Sequence, residues 1–265
     1  MAFFQLIRWK NLLILAFTQW IVYLFLDSSN CLNTEFHLRL ILVNLSTIFI
    51  AAAGYLINDY FDQKIDMINK PDRLFVDRVI SRRWVLVWHS VFNLLGILCG
   101  FMVGVSLGIL NLAVTILLWQ YSAVYKKNFA IGNLYVSALM SLSLVVVYFA
   151  DKNILFDWLL FYAFFAFITG LIREIVKDIE DIEGDAAHSA RTIPIVLGFY
   201  RTKVILYYLI GISIFILLFA CAYLFYKHYI LLPIYLLLAA VIPVVFFLRR
   251  MLRAGSKKDF SILSS

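Results

Sequence analysis

Charged residues, histidine and cysteine are all scarce in this sequence of 265 residues, and each scarcity excludes a class of protein. Asp, Glu, Lys and Arg make up 15% of the chain, against roughly 25% in soluble domains. The 4 histidines are scattered, with no pair at a ligand interval, which argues against a zinc site. The 3 cysteines form no disulfide framework. The sequence has no Gly-x-x-x-x-Gly-Lys loop, which argues against a nucleotide-driven pump.

Long apolar runs take the place of the missing charge. The hydrophobic fraction is 64% and the mean hydropathy is +0.92. A transmembrane helix needs about 20 mostly apolar residues. The sequence predicts eight such spans, at 11–26, 38–57, 84–103, 106–124, 131–150, 154–172, 204–226 and 229–248. We therefore predict an all-α, polytopic transmembrane helical bundle that forms a single integral-membrane domain over residues 1–265.

The basic residues indicate how this bundle is oriented in the cell inner membrane. Of the 23 Lys and Arg, all but Arg39, Lys152 and Lys227 fall on the same side of the predicted spans. By the positive-inside rule that side is cytoplasmic. It holds the N-terminus and two motif loops, which we predict at 58–83 and 174–202. The net charge of +7 is thus a topology signal, and we expect no nucleic-acid partner because the basic residues are spread over separate loops.

Two acidic clusters carry the strongest chemical signal. Each has the spacing D-x-x-D-x-x-x-D and follows a predicted span; their members are Asp59, Asp62 and Asp66, and Asp178, Asp181 and Asp185. On a helix these offsets place three carboxylates on one face. Like charges at this spacing destabilise a helix unless a cation lies between them. Hard divalent cations such as Mg²⁺ prefer oxygen ligands, so each cluster predicts a metal site.

Basic residues accompany both clusters. Lys70 and Arg73 follow the first, Arg173 and Lys177 precede the second, and Lys126 ends a span. Carboxylates alone repel a phosphate, but bound Mg²⁺ makes the charges compatible. The combination therefore indicates a diphosphate held through Mg²⁺, with Lys and Arg binding the remaining oxygens.

These motifs resemble those of the UbiA-type intramembrane prenyltransferases. The resemblance rests on the segments NDYFDQKIDMINKPDR, KDIEDIEGD and TIPIVLG, and it runs from Arg8 to about Leu252. Within the family, the motifs are most similar to the subgroup that adds a geranylgeranyl chain to geranylgeranylglyceryl phosphate. The chain departs from the family pattern after Arg73, where Leu74 to Asp77 replace a turn with proline.

The resemblance implies a bundle around a central cavity, with usually nine spans, the ninth beginning near KKDF, against the eight predicted here. It also implies Mg²⁺-dependent transfer from a polyprenyl diphosphate donor to a lipid-soluble acceptor, within a bilayer whose lipids surround the enzyme. By position, the implied metal ligands are Asn58, Asp62, Asp66, Asp178, Asp181 and Asp185. Asp62, Asp66, Asp181 and Asp185 are the implied catalytic carboxylates. Arg73, Lys126 and Lys177 are the implied diphosphate ligands, and Arg8 and Asn11 the implied acceptor ligands.

Two alternatives to prenylation of geranylgeranylglyceryl phosphate stay open at the sequence level. The first is prenylation of an aromatic quinone precursor such as 4-hydroxybenzoate. The second is a divalent-cation transporter. A transporter would be expected to carry acidic residues near the bilayer midplane, whereas the acidic clusters here lie at the ends of spans.

Overall fold

Helices account for most of the chain that the structure describes. The computed structural model describes residues 2–26, 34–69, 76–77, 79–255 and 257–264. The helices are α1 (Ala2–Leu6), α2 (Trp9–Leu26), α3 (Thr34–Asn69), α4 (Arg82–Val103), α5 (Val105–Ala123), α6 (Ile131–Val145), α7 (Phe156–Glu180), α8 (Ile182–Ala187), α9 (Ile193–Leu197), α10 (Phe199–Tyr226), α11 (Leu231–Leu236), α12 (Ile242–Arg253) and α13 (Lys257–Ser264).

Eight helical segments of the described residues are long and apolar enough to cross a membrane. Seven of them contain one each of α2, α3, α4, α5, α6, α7 and α10, and the eighth joins α11 and α12 through a π-helical stretch. The prediction of an all-α bundle with eight spans is therefore confirmed. The break between the third and fourth spans falls at Gly104.

The helix α3 is longer than a bilayer requires. Its 36 residues correspond to about 54 Å at 1.5 Å per residue, whereas the hydrocarbon core is about 30 Å thick. The surplus length carries the first acidic motif, since Asn58 to Asn69 are its last residues. The segment that we predicted as a loop from residue 58 is therefore helical as far as Asn69.

The second motif segment is also largely helical, although we predicted a loop over 174–202. The helix α7 continues to Glu180. The chain then turns at Asp181, which has φ −92° and ψ 6°, and α8 begins at Ile182. In the first motif, carboxylates spaced three and four residues apart are compatible with a helix once other groups balance their charge. The second motif is divided by the turn, with Asp178 on α7 and Asp185 on α8, so its three carboxylates do not share one helix face as we predicted.

Small residues allow α3, α4 and α5 to approach closely. A Cβ added at Gly96 of α4 would lie 2.6 Å from Cγ1 of Ile50 on α3. A Cβ added at Gly100 would lie 2.2 Å from Nδ2 of Asn111 on α5. Without a hydrophobic drive between helices in lipid, such close packing is a main source of association. The glycines therefore hold these three helices together.

A buried amide network joins α2, α3 and α6. The side chain of Gln19, which is 0% exposed, donates from Nε2 to Thr47 Oγ1 at 3.0 Å and to the Ser143 carbonyl at 2.6 Å. It also accepts a hydrogen bond from Asn44 Nδ2 at 3.0 Å. An unpaired polar group in hydrocarbon costs several kcal/mol. The network therefore fixes the relative positions of the helices whose ends form the site.

The helix α13 packs against α7 beside the second motif. Phe260 of α13 is fully buried and meets Phe199 edge to face, with ring centroids 5.6 Å apart. It belongs to an apolar cluster with Ile175 and Ile179 of α7. The helix α7, which leads into the second motif, is therefore held in place by its packing against α13.

Candidate active site

One cavity of about 820 Å³ lies where the acidic ends of α3 and α7 meet the start of α2 and the end of α5. Every predicted site residue except Arg73 lines it; these residues are Arg8, Asn11, Asn58, Asp62, Asp66, Lys126, Lys177, Asp178, Asp181 and Asp185. Arg73 lies outside the described residues. Two clusters more than a hundred residues apart in sequence therefore border the same space.

The first motif is held by Lys126. This lysine, just after α5, forms an ion pair with Asp62 Oδ2 and lies 3.3 Å from Asn58 Oδ1. Asn58 Nδ2 donates to the same carboxylate at 2.6 Å, one turn away on α3. Burial by itself would lower the pKa of Lys126, but the charge of Asp62 and the neighbouring Tyr121 raise it above its ordinary value. The lysine therefore stays charged and balances the first acidic stripe.

Arg8 is tied to the same helix. Its Nη2 donates to Asp59 Oδ1 at 2.7 Å, and its guanidinium lies 4.8 Å from the centroid of the Tyr55 ring. Burial opposes the charge, but Asp59 and Tyr55 outweigh it and raise the pKa of Arg8. The backbone of Arg8 is left-handed, with φ 53°, which costs a non-glycine residue about 1 kcal/mol or more. The ion pair holds this bend between α1 and α2 against α3.

The second motif is supported from α6. Asn133 Nδ2 donates to Asp178 Oδ2 at 2.7 Å, and Asn133 is itself buried. Further along, Asp185 is 8% exposed. Burial raises the pKa of the Asp185 carboxyl to about 6, although nearby Lys126 opposes the shift. Lys126, which is paired with Asp62 of the first motif, thus lines the same cavity as this carboxylate of the second motif and acts on its charge.

Several cavity residues were missed at the sequence level. They are Gln5, Trp9, Tyr121, Asn133, Glu174, Thr192 and Ser261. The sequence does carry a signal for two of them: Asn133 is a polar residue near the start of an apolar span, and Tyr121 is a polar residue shortly before Lys126. A polar residue in a span usually faces the bundle interior. Nothing in the sequence distinguishes Ser261, because only the packing of α13 on α7 brings it to the cavity.

The oxygen-rich lining fits Mg²⁺ held together with a phosphate ligand. Within the described ranges, no three His, Cys, Asp or Glu side chains are close enough to chelate one ion by themselves. Mg²⁺ is commonly bound by one or two carboxylates plus substrate phosphates rather than by an all-protein cage. Carboxylates from two helical segments that line one cavity together with Lys126 and Lys177 match that mode of binding.

Comparison with known proteins agrees with the fold and the motifs. A model of the UbiA prenyltransferase family matches residues 12–263. The chain is 34% identical over 211 residues to a protein named digeranylgeranylglyceryl phosphate synthase from Methanosphaera stadtmanae, covering 80% of this chain and 75% of that relative. It is 36% identical over 164 residues to a protein of the same name from Methanothermobacter thermautotrophicus, covering 62% and 58%.

A solved structure shows the same fold. A UbiA homolog from Archaeoglobus fulgidus, bound to GPP and Mg²⁺, superposes with a TM-score of 0.70 at 18% identity. The superposition covers 100% of this chain and 95% of that one. At this level of identity the likeness concerns the arrangement of the helices.

Proposed function

The chain belongs to the UbiA prenyltransferase family, and from this premise we propose that it transfers a polyprenyl group from a prenyl diphosphate to geranylgeranylglyceryl phosphate, with Mg²⁺ as cofactor. The observation that carries the proposal is the single cavity bordered by both acidic motifs and Lys126. A site for a free metal ion alone would have no use for the lysines. A site for a phosphate alone would have no use for the carboxylates.

The proposed metal ligands come from two separate helical segments that border the same cavity. Asn58, Asp62 and Asp66 are contributed by α3, and Asp178, Asp181 and Asp185 by the α7–α8 segment. When bound, Mg²⁺ supplies a Lewis acid that stabilises negative charge on a departing diphosphate. The carboxylates of this chain would hold the positive charge of Mg²⁺ at the cavity, where the diphosphate binds.

The lysines then bind the leaving group directly. Lys126 is held at the cavity by its ion pair with the buried Asp62, so a diphosphate that enters the cavity meets a cation already in position. Lys177, one turn before Asp181 on α7, lines the same cavity. Both lysines stabilise the diphosphate more as its charge grows, which lowers the barrier to breaking the bond between carbon and oxygen.

The prenyl carbon becomes positive as this bond breaks, and it must be kept from water. Tyr121 lines the cavity and its ring is stacked on Tyr135, with centroids 6.1 Å apart. A fixed aromatic face stabilises a nearby cation by about 0.5–2 kcal/mol. We assign Tyr121 this shielding role.

The choice of acceptor rests on charge and on the names of the relatives. Both relatives are named digeranylgeranylglyceryl phosphate synthase, which supports an anionic glycerol lipid. Such a lipid brings a further negative charge, and we assign Arg8, with Asn11, to its head group. An aromatic acceptor such as 4-hydroxybenzoate is the second candidate. The transporter is disfavoured because the buried carboxylates Asp62 and Glu174 lie toward the helix ends that border the cavity. The buried polar side chains deeper in the spans, such as Gln19 and Asn111, are uncharged.

The proposed function also includes an orientation. The cavity opens among helix ends that carry most of the basic residues, so by the positive-inside rule the N-terminus and both motifs face the cytoplasm. A soluble diphosphate product would then leave on that side.

The test is an acceptor assay with purified protein. With geranylgeranyl diphosphate and Mg²⁺, we expect prenylation of geranylgeranylglyceryl phosphate and no product from 4-hydroxybenzoate. Arg8→Gln should weaken apparent acceptor affinity about ten- to a hundredfold, since a charge-assisted hydrogen bond is worth about 1.5–3 kcal/mol. Arg201→Gln, an exposed cation that does not line the cavity, is the matched control. Product from 4-hydroxybenzoate alone would replace this proposal with the aromatic one.

A further inference from the structure

The side chain of Asn69 connects the two acidic motifs. Asn69 is the last residue of α3 and lies three residues after Asp66. Its Nδ2 donates to the backbone carbonyl of Asp181 at 3.1 Å. Its Oδ1 accepts from the backbone N–H of Gly184 at 2.9 Å. Only this orientation of the amide satisfies both a carbonyl and an N–H group.

The bond to Gly184 replaces an ordinary helix cap. Asp181 immediately precedes α8, and Gly184 is the third residue of that helix. An aspartate in this position normally accepts the N–H of the second or third helical residue. Here the Asp181 side chain makes no cap hydrogen bond, and the N–H of Gly184 is bonded to Asn69 instead. Asp181 meanwhile lines the cavity.

Gly184 leaves the space that Asn69 occupies. A Cβ added at Gly184 would lie 2.4 Å from Asn69 Nδ2, and the next nearest atoms are Cγ and Oδ1 of the same side chain. Real Cβ atoms do not approach so closely, so any larger residue would displace the amide. Gly184 has negative φ, like most residues of the chain, so the reason for glycine here is the close approach.

We propose that Asn69 is a positioning residue: by capping α8 in place of Asp181, it keeps the Asp181 carboxylate at the cavity, where Mg²⁺ binds. This inference rests on the proposed function, because it assigns Asp181 to the metal. When Asn69 is shortened, the N–H of Gly184 loses its partner. The Asp181 carboxylate, at the N-cap position of α8, then accepts this N–H group, as aspartate commonly does there, and turns away from the cavity.

The test is the Mg²⁺ concentration that gives half of the Mg²⁺-induced rise in melting temperature, measured on detergent-purified protein with inorganic diphosphate. For Asn69→Ala we expect this concentration to rise about tenfold, as expected for loss of one cap hydrogen bond. Gln63→Ala is the matched control. This variant also removes a side-chain amide from α3, one whose Nε2 donates to Asp77 Oδ2 at 2.8 Å. It should leave the Mg²⁺ dependence unchanged.

Variants at Gly184 and Asp181 separate positioning from general damage. Gly184→Ala should raise the half-saturating Mg²⁺ concentration to a similar extent. The double variant Asn69→Ala with Gly184→Ala should be no worse than Asn69→Ala, because the first change removes the atoms that the new Cβ would meet. In an Asp181→Asn background, Asn69→Ala should bring no additional change.

The outcomes distinguish this inference from the proposed function. If the wild-type melting temperature does not respond to Mg²⁺ with diphosphate, the proposed function fails, and the inference fails with it. If the wild type responds and Asn69→Ala responds at the same Mg²⁺ concentrations, only the positioning role is overturned. Equal losses in Asn69→Ala and Gln63→Ala would likewise overturn it.

Discussion

Removing the Asp62 carboxylate should destabilise the protein as well as inactivate it. In an isolated stripe of like charges, deletion of one carboxylate would relieve repulsion. In the structure, however, Asp62 is 5% exposed and forms an ion pair with Lys126, whose side chain is 22% exposed. Asp62→Ala therefore leaves a mostly buried ammonium without its carboxylate. The penalty for this cation outweighs the relief of repulsion.

The size of the effect follows from this environment. Removing one partner of a buried ion pair costs about 3–5 kcal/mol. Lys126 keeps Asn58 Oδ1 at 3.3 Å and some contact with solvent, so we expect the lower end, about 3 kcal/mol. In a protein of this size that lowers the melting temperature by about 6–12 °C. Lys126→Met should cost a similar amount, because it leaves Asp62 buried without its cation.

The double variant gives the decisive measurement. Asp62→Ala with Lys126→Met removes both charges, so neither is left unpaired, and its melting temperature should be no lower than that of either single variant. The corresponding coupling energy is about 3 kcal/mol. Thermal unfolding in detergent without Mg²⁺ measures stability, and release of diphosphate, expected to be lost in all three variants, measures activity. Additive destabilisation, or a stabilised Asp62→Ala, would refute the reasoning.

Three further outcomes are expected. Asn133→Leu should leave Asp178 Oδ2 without its 2.7 Å donor and lower the free energy of unfolding by about 1–3 kcal/mol, as measured by thermal unfolding. The control Ser143→Ala, at an exposed hydroxyl, should change this free energy little. Burial raises the pKa of Asp185 to about 6, so below that pH the folded protein holds a proton on this carboxylate that Mg²⁺ must displace. The Mg²⁺-induced rise in melting temperature should therefore become smaller as the pH is lowered from about 7.5 to about 5.5. A larger rise at the lower pH would contradict this. Chelation by EDTA should abolish diphosphate release and added Mg²⁺ should restore it, whereas full turnover in EDTA would exclude a required metal.

The eight spans followed from the sequence because crossing a bilayer is a local requirement. About 20 apolar residues suffice to span the hydrocarbon core, and each run can be recognised without knowing its neighbours. The repeated spacing of the two acidic motifs is equally local. The prediction of carboxylates on one helix face is correct for the first motif, since the helix α3 continues through Asp62 and Asp66 to Asn69. It is wrong for the second motif, because the helix ends before Asp181 and a new one begins after it.

The partners of these carboxylates were decided only by tertiary packing. Lys126 meets Asp62 across 64 positions of sequence, and Asn69 meets Asp181 across 112. Neither residue carries a local signal for its partner, because a lysine at the end of a span is equally compatible with solvent. The glycines of α4 and the buried amides around Gln19 fix how the helices cross, and those crossings bring the separate helix ends together. Sequence determines a pattern within each helix, whereas the pairing of charges between helices depends on distances that exist only after the helices have packed.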